Sequence, residues 1–183
     1  TLEFFGTGSS AIKNTSRNIY TLQVNKNTNG YVIIGDNEKV LNSVIFLHDK
    51  NWVKLNGKTL TLAPNCNVLN YSNKRYFITN GINKGFLKKL KVNTAAFTFP
   101  VGFDKNTYNP LTITENGTQD DYYVRCLENA LLDGDQGNPI SGGGISAGWL
   151  INENTPGGAN AIIQAEWKTT DELPGFDYTK CMI

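Results

Sequence analysis

The residues with the right types and spacing for chemistry are few and scattered. Asp133-Gly134-Asp135-Gln136-Gly137-Asn138 sets oxygen donors at intervals in a glycine-rich stretch, as calcium loops do, with Asp133, Asp135 and Asn138 as candidate metal ligands. It lacks the bidentate Glu that closes an EF-hand and departs from the nonapeptide calcium repeat. Asp120-Asp121 either completes such a site or ends a turn, and the turn is the simpler reading. His48, the only histidine, has no Ser, Cys or second His at a readable spacing and reads as a turn residue rather than a general base. Glu153 and Glu166 flank the loop Pro156-Gly157-Gly158-Ala159-Asn160, but the ends of such a loop set no carboxylate separation, so glycoside hydrolysis has no support. Trp149 and Trp167 fall in strand patterns and read as core, whereas Trp52 and Tyr71 are candidate ligand-binding residues, a ring platform for a glycan if both are exposed on one face. No catalytic residue and no cofactor is implied, and calcium is the one candidate ion.

The thiols add nothing to this set. Cys66, Cys126 and Cys181 form neither a CxxC pair nor a Cys/His cluster of zinc spacing, and read as small buried hydrophobes. With 17 Lys and Arg against 16 Asp and Glu, the chain has a net charge of +1 and lacks the basic footprint of a nucleic-acid binder. It contains no apolar run of about 18 residues, the minimum for a membrane-spanning helix. A chain that opens at Thr1, with no initiator Met and no signal peptide, reads as a processed product or as a segment of something longer.

The elements that must position these residues read as strands. Asn, Gly and Thr are abundant and Met, His and Glu scarce, which favours turns and strands and predicts an all-β protein. Residues 40–69 carry the most regular pattern: Ile45 and Leu47, Val53 and Leu55, and Leu60 and Leu62 come as alternating inward pairs separated by Asn, Gly, Asp and Lys. Leu22/Val24 precede Ile45/Leu47 by about 23 residues, and Val32/Ile34 precede Val53/Leu55 by about 21, the interval of one coil of a β-solenoid. The pattern predicts a short irregular β-solenoid over residues 1–100. A meander of hairpins is the alternative, because Asn29-Gly30 and Asn56-Gly57 are also two-residue hairpin signals. Lys84, Lys88, Lys89 and Lys91 around Phe86, Leu87 and Leu90 read as a charged edge strand that discourages further pairing. Pro100 and Gly102 interrupt a strand and place a boundary near residue 100. Beyond it, LTIT, YYVRCL, GWLI and AIIQAEW are strands at wider spacing with long loops, which predicts an Ig-like β-sandwich domain over 101–183.

The run FTFPVGF, YNPLTIT, DDYYVRC, GWLINENTPGGANAIIQAEW and TTDELPGFD, together with Asn56, Gly57, Thr59, Leu60, Thr61 and Leu62 as an N-G-x-T-L-T-L core, resembles segments of large secreted and cell-surface proteins of Bacteroidetes bacteria, among them adhesin-like proteins exported by type IX secretion. The resemblance covers most of the chain. It implies a secreted or cell-surface location on the outer face of the outer membrane and the type IX export machinery as a partner. A non-enzymatic structural or adhesive module is the expected function, with a cell-surface or extracellular protein or glycan as partner. A carbohydrate-binding module using exposed aromatics is the alternative, and a polysaccharide hydrolase is the third reading.

Overall fold

The computed structural model describes residues 1–13, 18–27, 29–80 and 85–180. Lys84 and Cys181 lie outside the described residues. The chain winds as a parallel β-solenoid of about four turns. Each turn places one strand in a first sheet and one in a second: β1 (Leu2–Gly6) and β2 (Ser10–Ile12), β3 (Ile19–Lys26) and β4 (Tyr31–Ile34), then β5 (Glu38–Phe46) and β6 (Asn51–Lys54). The fourth turn is split into β7 (Thr59–Leu62), β8 (Asn67–Leu69) and β9 (Arg75–Ile78), and a last partial turn runs through β10 (Phe86–Val92), β11 (Phe97–Phe99) and β12 (Val101–Gly102).

Register ties the coil to the sequence interval. Leu22 lies beside Val44, and Val32 beside Val53, steps of 22 and 21 residues in parallel ladders. Among the described residues the strands β1 to β9 pair in parallel and not as the local hairpins of the meander alternative. Stacking puts Leu22, Val44 and Val68 on neighbouring strands, and Val32, Val53, Phe77 and Val101 likewise in the second sheet. No single coil could enclose these side chains; neighbours close the core by burying one another.

Two inward assignments shift by one residue. Val44 and Phe46 are fully buried, while Ile45 is half-buried and Leu47 exposed. Val44-Ile45-Phe46-Leu47 is apolar at both parities, so alternation alone cannot say which pair faces in; the stacked neighbours Leu22 and Val24 decide it.

The solenoid's corners are held by polar side chains that bond to backbone groups of the next coil. Asn51, fully buried, accepts from the Lys26 N–H through Oδ1 (3.0 Å) and donates to the Lys26 carbonyl through Nδ2 (2.7 Å). Lys26 Nζ in turn donates to the Phe5 carbonyl (3.2 Å) and the Ser10 hydroxyl (2.7 Å). A buried polar side chain is tolerable only when bonded, and here the bonds also lock adjacent coils in register.

The lysine-rich segment does not form an edge. β10 lies inside the sheet, parallel to β7 on one side and antiparallel to β14 (Asp120–Leu127) on the other. The fourth coil carries two residues more than the third at this point, since Val40 and Ser43 are matched by Leu62 and Asn67. The resulting bulge, residues 63–66, turns three carbonyls inward, those of Ala63, Pro64 and Cys66. Lys89, only 5% exposed, donates to them at 2.8, 2.8 and 2.7 Å. Lys88 pairs with Asp121 at 3.0 Å, and the bulge at Lys91 is held by Asp121 accepting from its N–H at 3.0 Å. Positive charge concentrated on β10 therefore serves internal carbonyls and a neighbouring carboxylate rather than repelling a further strand.

Beyond β10 the pairing turns antiparallel. β14 and β15 (Gly148–Glu153) extend the first sheet, giving the order β1-β3-β5-β7-β10-β14-β15 with β8 beside β5. β13 (Leu111–Glu115) pairs with β11 and β16 (Ala161–Ala165) in a three-stranded sheet. Among the described residues of the second half a separate Ig-like sandwich is not confirmed, because one layer of the packing is the solenoid's own sheet continued. Leu111, Ile113, Tyr122 and Val124 belong to one core with Leu22 and Phe46, and Tyr122 donates its hydroxyl to buried Glu115 across the layers. Hydrogen bonds cross the expected boundary at residue 100 in the β10–β14 ladder and where the Cys126 N–H donates to the Thr79 hydroxyl at 3.0 Å. The loop after β12 folds onto the outer face of the second sheet: Tyr108 packs on Tyr76 at 5.1 Å, whose hydroxyl donates to the Asp104 carbonyl at 2.7 Å. Gly102 is required there, because a Cβ would lie 1.8 Å from the Thr107 carbonyl oxygen.

Candidate functional site

The residues singled out for chemistry fall in separate places. Trp52, on the outer face of β6, is 5% exposed and packs beside Tyr31 at 5.7 Å and in one apolar cluster with Tyr76 and Ile78, while Tyr71 is 38% exposed. Trp52 thus has no open ring face for a sugar, and the pair makes no shared platform. Asp133, Asp135 and Asn138 sit in a loop closed by its own backbone: Asp133 N–H donates to the Gln136 carbonyl (3.1 Å) and Leu132 N–H to the Asn138 carbonyl (3.0 Å). No group of three or more His, Cys, Asp and Glu side chains able to hold a metal ion occurs among the described residues. Asp135 lies in the field of Arg125, a buried guanidinium stacked over the Phe86 ring at 5.3 Å, and opposes the lowering that burial imposes on its pKa. Asp120 accepts from the Thr155 N–H at 2.7 Å and Asp121 serves Lys88 and Lys91, so both end strands. His48 is exposed in a bend, and Glu153 accepts from the Gly157 N–H at 3.0 Å at the start of the loop it flanks.

Groups with displaced pKa values are found where loops are tied down. Burial would raise Glu115, but the Tyr122 hydroxyl and the N–H groups of Asn160 (2.8 Å) and Gly117 (2.5 Å) outweigh it and hold the carboxyl below its ordinary value. Burial pulls Lys89 down and pushes the Cys66 thiol up to about 11, leaving Cys66 a poor nucleophile at neutral pH. Cys126 is raised further by complete burial. Both cysteines are free and buried, as small hydrophobes are.

A cleft of about 780 Å³ lies at the C-terminal end of the described residues. It opens where the extended first sheet and the three-stranded sheet meet along β15 and β16. Trp149 and Ile151 form one wall and Ile163, Gln164 and Ala165 the other, and Trp167 and Phe176 lie across its end, edge to face at 5.9 Å. Trp149 is oriented by its indole N–H, which donates to the Asn109 carbonyl at 2.9 Å. Segments 143–146 and 171–174 close the floor through paired backbone bonds, Gly143 N–H to the Pro174 carbonyl (2.9 Å) and Leu173 N–H to the Gly144 carbonyl (2.9 Å). The charged lining residues, Asp177 and Lys180, pair with each other at 3.2 Å. Such a lining can bury an apolar ligand but offers no acid–base pair.

Comparison with known protein families, characterised proteins and solved structures gives no match. No helix among the described residues is long and apolar enough to cross a membrane.

The cleft escaped the sequence reading even though two of its walls did not. Trp149 and Trp167 read as core strand aromatics, but both are only partly buried, and Trp167 lies beyond the end of β16. What was missing is that β15 and β16 end different sheets, which no local pattern states.

Proposed function

We propose that the chain is a non-enzymatic structural or adhesive module of a larger secreted or cell-surface protein, with the solenoid as a stiff spacer. The observation that carries this reading is the uninterrupted parallel stack from β1 to β10, whose side-chain chemistry is spent internally. Asn51, Lys26 and Lys89 bond the backbone of neighbouring coils, and the buried carboxylate of Glu115 holds the loop segments at Gly117 and Asn160. A rod built this way conveys length and resistance to unfolding without needing a cofactor. The quoted motifs supply the surface location.

The test is antibody labelling of the parent protein on intact source cells against permeabilised ones, paired with a panel of chromogenic glycosides and peptides. Labelling of intact cells with no turnover of the panel is expected. Labelling only after permeabilisation refutes the surface location, and turnover that persists in repurified protein refutes the non-enzymatic reading.

A further inference from the structure

The cleft borders a strand edge left open, and the hydrogen-bond pattern shows which atoms it offers. Glu166 N–H donates to the Pro110 carbonyl at 3.0 Å, and Asn116 N–H to the Asn160 carbonyl at 3.1 Å. These two bonds bracket the antiparallel ladder in which Leu111 faces Ala165 and Ile113 faces Ile163. Backbone groups in such a ladder point alternately to either side, so Asn160, Ile162, Gln164 and Glu166 bond toward β13. The N–H and C=O groups of Ala161, Ile163 and Ala165 point the other way, where β16 has no neighbouring strand among the described residues.

The same edge runs along the cleft. Three consecutive residues of β16, Ile163, Gln164 and Ala165, line it, whereas β15 contributes the alternate residues Trp149 and Ile151. Consecutive residues mean that the edge of β16 is presented, and alternate residues mean that one face of β15 is. An exposed sheet edge is normally blunted by charge, proline or a bulge. β16 reads Ala-Ile-Ile-Gln-Ala, with no charge and no proline, and its Ile162 is exposed.

We propose that the cleft takes an extended strand of a partner protein, which hydrogen-bonds to the free edge of β16 and sends alternate apolar side chains toward Trp149 and Ile151. An occupant that meets both a row of backbone donors and acceptors and an apolar wall is a peptide; a sugar or an acyl chain satisfies one and leaves the other unmet. The strand is uncharged where it enters, because Asp177 and Lys180 already neutralise each other. Five residues of β16 give a contact about 17 Å long. The inference stands on the cleft alone and does not depend on a surface location or on the spacer role.

The experiment pans a displayed library of random nonapeptides against the full chain, then measures binding of the enriched peptides by Trp149 and Trp167 fluorescence and by amide hydrogen exchange. Enriched peptides should carry apolar residues at alternate positions. Their binding should slow exchange at the Ala161, Ile163 and Ala165 amides at least about tenfold and should be lost on N-methylation of alternate peptide bonds. Ile163→Asp should abolish binding, and Ala165→Leu, which fills the cleft without introducing charge, should weaken it if Ile163→Asp fails to fold. Enriched peptides without alternation, or binding that leaves these three amides unprotected, would overturn the proposal. So would decanoate or a cello-oligosaccharide displacing no peptide yet occupying the cleft, or sedimentation showing the chain pairing with a second copy through β16.

Discussion

Lys89→Met is the substitution that tests most directly how the irregular coil is held. The ammonium donates to three carbonyls of the 63–66 bulge at 2.7–2.8 Å from a position only 5% exposed. A hydrogen bond from a charged donor contributes a net of about 1.5–3 kcal/mol, desolvation included, and three bonds made by one ammonium do not add in full, so the net destabilisation is about 2–4 kcal/mol. For a chain of this size that corresponds to a fall in Tm of roughly 5–12 °C. Urea denaturation followed by circular dichroism should show a lower midpoint with an unchanged slope, because the exposed area on unfolding stays the same. Lys89→Gln, able to regain one or two of the bonds, should fall between wild type and Lys89→Met. Lys88→Met, which removes an ion pair with Asp121 and a bond to the Tyr123 hydroxyl from a less buried site, should cost less, about 1–2 kcal/mol. If Lys89→Met lost under about 1 kcal/mol, or no more than Lys88→Met, the bulge would be held by its packing and the role given to Lys89 would be wrong.

Other expectations concern the strands and loops beyond β10, which cap the solenoid with antiparallel pairing. Glu115 is held below its ordinary value, so it contributes stability above the unfolded Glu pKa near 4.3 that is lost as pH falls through its folded value; Glu115→Gln should flatten thermal stability below about pH 4 while costing roughly 1–3 kcal/mol at pH 7. Gly102→Ala drives a Cβ to within 1.8 Å of the Thr107 carbonyl oxygen, and calorimetry should show a loss of about 2 kcal/mol or more with Tyr76 becoming more accessible. Asp135→Asn should destabilise by about 1 kcal/mol by removing a counter-charge from Arg125, a deficit that calcium or a chelator should leave unchanged. Limited proteolysis should find no early cut between Phe103 and Pro110, since Asn109 is buried and its N–H donates to the Val101 carbonyl at 3.0 Å; unfolding should be a single transition.

How far the fold was legible depended on whether neighbouring residues disagreed in character. Val53 and Leu55 are separated by Lys54, and Leu60 and Leu62 by Thr61, and the alternation places all four correctly as fully buried; Val32 and Ile34, also fully buried, flank Ile33 and owe their placement to the coil interval. Val44 to Leu47 gave no contrast, and only the stacked coil could choose. The parallel interval survived because it depends on spacing, not on parity. Lysines around Leu87 were misread because charge on a strand normally signals an edge, and the inserted residues that turn carbonyls toward Lys89 lie about 25 residues earlier in the chain. Strand content in the second half was readable from short apolar runs; that β14 would pair with β10, while β16 stopped a different sheet, is a long-range fact without a local trace.

The change from parallel to antiparallel pairing at β10 gives the molecule a direction of growth. Between β3–β4 and β5–β6 every strand meets parallel neighbours about 22 residues away, so a duplicated coil inserted there finds compatible edges above and below. After β10 it would meet β14 running the opposite way and could not propagate the coil. Lengthening is therefore confined to the solenoid and comes in increments of one strand spacing, about 4.8 Å for each added coil. Whatever the capped end carries would move outward by that step, unchanged in shape, as a pointer does along a graduated rule.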